Sequence, residues 1–304
     1  MNSLDIAICT HERPADVVQT LESLAALEPP EGVTLRLLLI LNACSPATVA
    51  AGRAAAAALP FPAHVVEEPV PGLSQARNRA IAESDACWLA FLDDDVKVSP
   101  GWARGLAATA RDLCADIVAG RTLLWWRDCQ RPDWWSGHFD WIVSAFNHGD
   151  ADRMLRPARA VGANFACARA VCDAVGRFDT GLGRKGDSLA AGEESDYLAR
   201  ADAQGFACAY SAGALVEHLV APKRLDEAYF RQIAHHQGRA YYHAHPRRGL
   251  ARLRSAAYQL AVLGRAALRR ATAPRGSAAA RYALIKTAGA RGALNSLLRG
   301  PSAT

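Results

Sequence analysis

Four apolar runs punctuate the first hundred residues, each separated from the next by a helical pattern, and this alternation decides the fold class. The runs are LDIAIC (4–9), VTLRLLLIL (33–41), AHVVE (63–67) and ACWLAFL (86–92). Behind Pro14, which suits the first turn of a helix, Val17, Val18, Leu21, Leu24 and Leu27 recur at helical spacing. Alanine-rich 46–59 and SQARNRAIAES (74–84) also read as helices. VTLRLLLIL is almost uninterrupted by polar residues, as a strand must be when both faces of its sheet are covered. Strand, helix, strand, helix predicts an α/β fold with a doubly wound, mostly parallel sheet. Such sheets bind ligands outside the carboxyl ends of their strands. Thr10–Arg13, Asn42–Ser45 and Asp93–Asp95 fall at three such ends and so share one edge.

The 304 residues are 51% hydrophobic and 21% charged, enough for a sizeable core and unlike a disordered or disulfide-scaffold chain. The net charge of +5 conceals a division. Residues 1–222 carry 19 Lys/Arg against 28 Asp/Glu, a balance of −9, whereas 223–304 carry 16 against two, a balance of +14. The chain is therefore expected to form an acidic catalytic domain over 1–222 and a basic helical extension over 223–304. No stretch approaches the ~20 apolar residues of a membrane span, and MNSLDIAICTHERP turns polar too early for a signal peptide. The eight cysteines are scattered without a CxxC pair. A cytoplasmic protein with reduced cysteines is expected, placed either free or peripherally at the inner face of the membrane.

Chemistry concentrates at Asp93-Asp94-Asp95, directly after the apolar strand that ends in Phe91-Leu92. Three adjacent carboxylates repel one another, and a hard cation such as Mg²⁺ or Mn²⁺ relieves that repulsion while bridging to phosphates. The plainer reading is a solvated acidic turn. Gly192-Glu193-Glu194-Ser195-Asp196 opens a helix, where acidic residues suit the dipole; a carboxylate there in a cleft can also take a proton from a hydroxyl. His218 sits in the apolar strand VEHLV, either as a satisfied core residue or as a ligand to a divalent ion. GLGRKG (181–186) spells GxGxxG, but it lies outside any strand-to-helix turn and is not a dinucleotide fingerprint. With Gly176, Arg184 and Lys185 it forms either a loop closing on an anion or an ordinary surface loop.

In order along the chain, seven segments resemble the inverting glycosyltransferases of family 2, which have the GT-A, Rossmann-like fold. They are Thr10-His11-Glu12-Arg13, Pro71-Gly72-Leu73-Ser74-Gln75-Ala76-Arg77-Asn78, Asp93-Asp94-Asp95, Gly162-Ala163-Asn164, Arg177-Phe178-Asp179, Gly192–Asp196 and Val216-Glu217-His218. The resemblance implies a single in-line displacement on a nucleoside-diphosphate sugar by the hydroxyl of a saccharide or lipid-linked acceptor. It assigns donor binding to Thr10, Glu12, Arg13, Asn42, Arg77, Asp93 and Asp94, with Lys185 closing on phosphate. It assigns Mg²⁺ or Mn²⁺ to Asp95, Asp93 and His218, and the general base to Glu194, with Glu193 and Asp196 as substitutes. Two positions depart from the family: Asn42 stands where Asp is usual beside the base, and Glu194 where the base is commonly Asp. These departures keep a second class open, a nucleotide-binding partner subunit without catalysis. A sugar nucleotidylyltransferase would carry a glycine-rich turn after the first strand, which Thr10–Pro14 lacks.

Two regions admit two readings each. WWRDCQRPDWWSGHFDW (125–141) holds five of the seven tryptophans, which are either core or, with Trp134, Trp135 and Asn164, the wall facing the acceptor. In 249–270 one helical face carries Leu250, Leu253, Ala257, Leu260, Gly264, Ala267 and Leu268, with arginines off it. That face either packs on the catalytic domain or meets an anionic membrane. Nucleic acid is not an expected partner, since no recognised module accompanies the charge.

Overall fold

The computed structural model describes residues 1–184 and 190–299. In chain order its first half holds β1 (Ser3–Thr10), α1 (Pro14–Leu24), β2 (Thr34–Asn42), α2 (Pro46–Ala57), β3 (Ala63–Glu68), α3 (Leu73–Glu83), β4 (Trp88–Asp93), β5 (Val96–Val98), α4 (Trp102–Asp112) and β6 (Ile117–Trp125). A 3-10 turn over Gly137–Val143 leads to β7 (Arg153–Leu155), β8 (Asn164–Ala168), α5 (Arg169–Val175), α6 (Glu193–Ala203) and β9 (Cys208–Leu219). A second 3-10 turn, Pro222–Leu225, opens the helices α7 (Glu227–Ala244), α8 (Gly249–Thr272) and α9 (Ala278–Arg299).

All four predicted strands form and pair in parallel in the order β3-β2-β1-β4. Leu37, Leu38, Leu39 and Ile40 are all fully buried, which is why β2 needs an unbroken apolar run. Because side chains alternate across a strand, Ile6, Ile8, Leu37, Leu39 and Leu92 face α1, α2 and α4. Ala7, Leu38, Ile40 and Phe91 face α3, α5 and α6 on the other side. Antiparallel β8 follows β4, and β6, β9 and β5 complete the sheet, with β7 on β9. β9 runs unbroken from Cys208 to Leu219, and its pairing with β6 shifts register between Gly120 and Thr122.

A third core, away from the sheet, unites the tryptophan-rich segment with the C-terminal helices. Trp135, Phe139, Ile142 and Val143 pack against Val220, Phe230 and Ile233 and against Leu284 and Ile285 of α9. Phe139 stacks on Phe230 at 6.0 Å, and Trp134 meets both rings edge-on. The acceptor-wall reading of Trp134 and Trp135 is thereby corrected: Trp135 is 5% exposed and its Nε1 donates to Asp140 at 2.8 Å. These rings are core because Val220 and α7 cover them. Trp135→Ala should therefore lower unfolding free energy by about 3–5 kcal/mol in urea melts while leaving kcat unchanged well below the melting temperature.

The basic helices are fastened by close backbone approach. A side chain on Gly238 of α7 or Gly292 of α9 would run into the backbone of the opposite helix. α7 in turn lies over the start of α6, and α8 packs mainly on α9, with Gln259 donating to the Tyr242 hydroxyl of α7 at 3.1 Å.

Candidate active site

The register of the parallel strands brings the three expected strand ends together. Thr10 pairs opposite Leu41 and Cys9 opposite Asp93, so β1, β2 and β4 stop side by side. They floor a cleft of about 410 Å³, walled by Gly72–Arg77, Gly162-Ala163, Arg184, Glu193-Glu194, Trp141-Ile142 and the first half of α7.

Beyond Asp93 the chain turns straight into β5, which pairs antiparallel with β9 so that Val96 lies opposite His218. That pairing places the imidazole against the acidic turn. His218 Nε2 is 3.2 Å from Asp95 Oδ1 and 3.7 Å from Asp93 Oδ2, and one ligand atom from each of the three lies within 4.8 Å of the others. Asp94 turns the other way, accepting from Thr10 Oγ1 at 2.6 Å and from Arg13 at 3.1 Å. Burial, only partly offset by Arg13, pushes Asp94 up to about 6. The run of three carboxylates thus resolves into an Asp93-x-Asp95 pair and a middle residue tied to β1.

Asp95 is 5% exposed, and its Oδ2 accepts from Arg13 at 3.0 Å and Arg224 at 2.7 Å. Burial alone would raise it; the charges of His218, Arg224 and Arg13 reverse that and hold it well below the usual carboxylate range. Its Oδ1 is buried and accepts no hydrogen bond. A buried carboxylate oxygen left over beside a second carboxylate and an imidazole is a fitting donor set for Mg²⁺ or Mn²⁺.

The second acidic cluster depends on Gly192, whose φ of +108° is strained for any other residue and where a Cβ would overlap Ala240 of α7. Glu193, 4% exposed, accepts from Arg77 Nη1 at 2.9 Å. The same guanidinium donates to the Gly162 carbonyl at 3.1 Å and stands 3.6 Å from Asp93. Arg77, expected on the donor, is a buried tie between the two acidic clusters. Glu194 lines the cleft, and burial together with the Glu193 charge pushes it up to about 8. Asp196 leaves the cleft and pairs with Arg200 one turn on, at 2.9 Å.

Other expected positions have structural work. Glu12 bonds the Ser45 backbone N–H, Ser45 Oγ at 2.9 Å and Thr48 Oγ1 at 3.1 Å, so it fixes the β2–α2 turn outside the cleft lining. Asn42 lines the cleft, but its amide donates to the Val70 carbonyl at 2.7 Å and accepts from the Gly72 N–H at 2.8 Å. Asn164 is fully buried, bonding Trp102 Nε1 and the carbonyls of Arg121 and Ala214. It is a core hub rather than an acceptor contact. Lys185 and Gly186 lie outside the described residues.

Trp141, within the tryptophan-rich segment read as core or acceptor wall, lines the cleft, and five further lining residues escaped the sequence reading: Lys223, Arg224, Tyr229, Gln232 and Gln237. Arg224 is the most consequential, buried at 3% exposure between Asp95 and His218. The one signal available was its position six residues past His218, on the turn that leaves β9.

Residues 5–175 match the family model described as Glycosyl transferase family 2. The chain belongs to glycosyl transferase family 2. It is 30% identical over 240 residues to the succinoglycan biosynthesis protein ExoM of Rhizobium meliloti (strain 1021), covering 78% of this chain and 74% of that protein. It is 27% identical over 148 residues to the glucosyl-dolichyl phosphate glucuronosyltransferase of Haloferax volcanii, 48% of this chain and 47% of that one. A solved structure, the mannosyltransferase PcManGT of Pyrobaculum calidifontis in complex with GDP-Man and Mn²⁺, superposes with a TM-score of 0.60 at 16% identity, over 95% of this chain and 86% of that one. The family 2 glycosyltransferase thus has the GT-A fold.

Proposed function

We propose that this family 2 glycosyltransferase is metal-dependent and inverting, and moves a sugar from a nucleoside-diphosphate donor to a hydroxyl of a saccharide or lipid-linked acceptor in polysaccharide or glycolipid biosynthesis. One observation carries the reading: Asp93, Asp95 and His218 converge at one point, and Asp93 carries that point to the wall of a cleft that Glu194 also lines. The names of the relatives, a succinoglycan biosynthesis protein and a glucuronosyltransferase, support the acceptor class, and the GDP-Man and Mn²⁺ of PcManGT support the donor class and the metal.

A divalent ion held by Asp95, Asp93 and His218 would neutralise the charge that grows on a departing diphosphate. The chain's own residues supply the remainder. Arg13, Arg184, Lys223 and Arg224 line the same cleft and give that diphosphate a cationic surround. Arg77 keeps Asp93 and Glu193 at fixed separation, so the acidic clusters cannot drift apart. Glu194, at the mouth of α6, takes the proton of the incoming hydroxyl. Trp141, 39% exposed and lining the cleft, replaces Trp134 and Trp135 as the ring on which an acceptor sugar stacks.

The test is to incubate the enzyme with a panel of nucleotide sugars and follow nucleoside diphosphate release with Mn²⁺ and with chelator, reading the product's anomeric configuration by NMR. Turnover of one donor that chelator stops, with inversion, is expected; retention would overturn the single-displacement reading. Trp141→Ala should raise the acceptor KM by roughly tenfold, the size of a lost stacking contact, with the donor KM unchanged. A parallel rise in both KM values would assign Trp141 to the fold of the cleft instead.

A further inference from the structure

α8 turns its apolar face to solvent. Leu250, Leu253, Leu260 and Leu268 are 72, 66, 60 and 69% exposed, and they lie on one side of the helix with small residues between them. The opposite side seats Ala266 against α9 at 4% exposure. Single exposed leucines are ordinary, but four aligned from Leu250 to Leu268 along a helix of 24 residues form a stripe about 27 Å long at 1.5 Å per residue.

Charge says what covers it. Arg254, Arg265 and Arg270 are exposed on α8, with Arg247 and Arg248 exposed just ahead of it. Arg252 is half-buried and donates to the Leu298 carbonyl at 2.9 Å, while Arg269, also exposed, lies over the Tyr282 ring at 5.3 Å. No Asp or Glu follows Glu227 in the sequence, so the three C-terminal helices offer the outward arginines no carboxylate beyond the first turn of α7. A self-complementary contact between two copies through this face would set arginine against arginine. An apolar stripe with cationic borders fits a surface that is apolar beneath and anionic above. Among the described residues no helix is long and apolar enough to cross a membrane, so the contact would be lateral.

We infer that α8 is a membrane-docking helix that lies in the headgroup layer of an anionic phospholipid bilayer, leucines inward and Arg254, Arg265 and Arg270 at the phosphates. The inference stands apart from the chemistry of the cleft, since neither leucines nor arginines of α8 line it.

Flotation of the full-length protein with vesicles tests it, using phosphatidylcholine alone and phosphatidylcholine mixed with phosphatidylglycerol, in low and high salt. Wild type should float with the mixed vesicles in low salt and lose most of that binding in high salt or without phosphatidylglycerol. Leu253→Glu/Leu260→Glu should abolish flotation. Arg254→Glu/Arg265→Glu should weaken it on the order of tenfold or more, given the strength of each basic contact. All four positions are solvent-facing, so circular dichroism and nucleoside diphosphate release should match wild type. Wild type that ignores the mixed vesicles, or variants that float as it does, would overturn the inference. So would a wild-type dimer in sedimentation that the leucine pair dissociates, because the face would then be a self-association surface.

Discussion

Asp95→Asn is expected to slow glycosyl transfer on the order of 10³-fold and to remove the dependence of nucleotide binding on Mn²⁺. The substitution keeps the volume of the side chain but takes away the charge that His218, Arg13 and Arg224 surround. It also leaves the Arg224 guanidinium buried without its anion, so a loss of stability of about 3–5 kcal/mol should accompany the kinetic effect. Asp93→Asn separates the two consequences. Its side chain is 29% exposed and its closest cation, Arg77, is already held by Glu193, so the kinetic defect should persist with a much smaller stability change. Stopped-flow turnover and urea melts on both variants check the pair. Full activity in either would remove that carboxylate from the reaction.

Glu194→Gln should lower kcat by about 10²–10⁴-fold while nucleotide affinity stays within twofold, because a general base acts after the donor is bound. Burial and Glu193 push Glu194 up to about 8 from an ordinary 4.5, so the free enzyme carries it largely protonated at neutral pH. A general base works in its deprotonated form, so in the proposed role kcat/KM should climb with pH through about 8, and that limb should vanish in Glu194→Gln. Stability moves in the opposite sense. A carboxyl whose folded value is raised binds a proton that the unfolded chain has released, so stability falls as pH climbs from 4.5 to about 8. Glu194→Gln should accordingly melt above wild type at pH beyond 8 and converge with it near pH 4. A variant that keeps turnover would move the base role to Glu193, whose Oε2 is also buried without a partner.

The parts of this molecule that were legible in the sequence are those fixed by periodicity and strand ends. β1 to β4 follow from apolar runs that both sheet faces require, and Asp93–Asp95 follows from its place at the end of one of them. The outcome of that triplet was not legible. Which carboxylate would turn toward Thr10 depends on β5 pairing with β9, a contact between segments far apart in the chain. The same pairing brings in Arg224, which no local pattern distinguishes from the other arginines of the basic region. Trp134 and Trp135 show the opposite failure. An aromatic run broken by Arg, Asp, Pro and Gly resembles an exposed wall, yet α7 and α9 arrive to bury it, and Trp141, a few residues on, is the one left facing the cleft. Asn164, Glu12 and Asp196 were polar residues in suggestive motifs whose hydrogen bonds are all structural; only their partners, Trp102, Ser45 and Arg200, reveal this.

The departure at Asn42 acquires a reason from the structure. Its amide both donates to Val70 and accepts from Gly72, pinning the loop that leads into α3. A carboxylate has no donor for the Val70 carbonyl, so the amide holds this loop in a way that Asp does not.

Calorimetric titration of wild-type protein with UDP, GDP and TDP, each with Mn²⁺ and with chelator, addresses the metal-assisted donor site most directly. One nucleotide should bind at micromolar concentration with Mn²⁺ and at least tenfold more weakly with chelator. Equal affinity in both conditions, or binding that Asp95→Asn leaves unchanged, would contradict it.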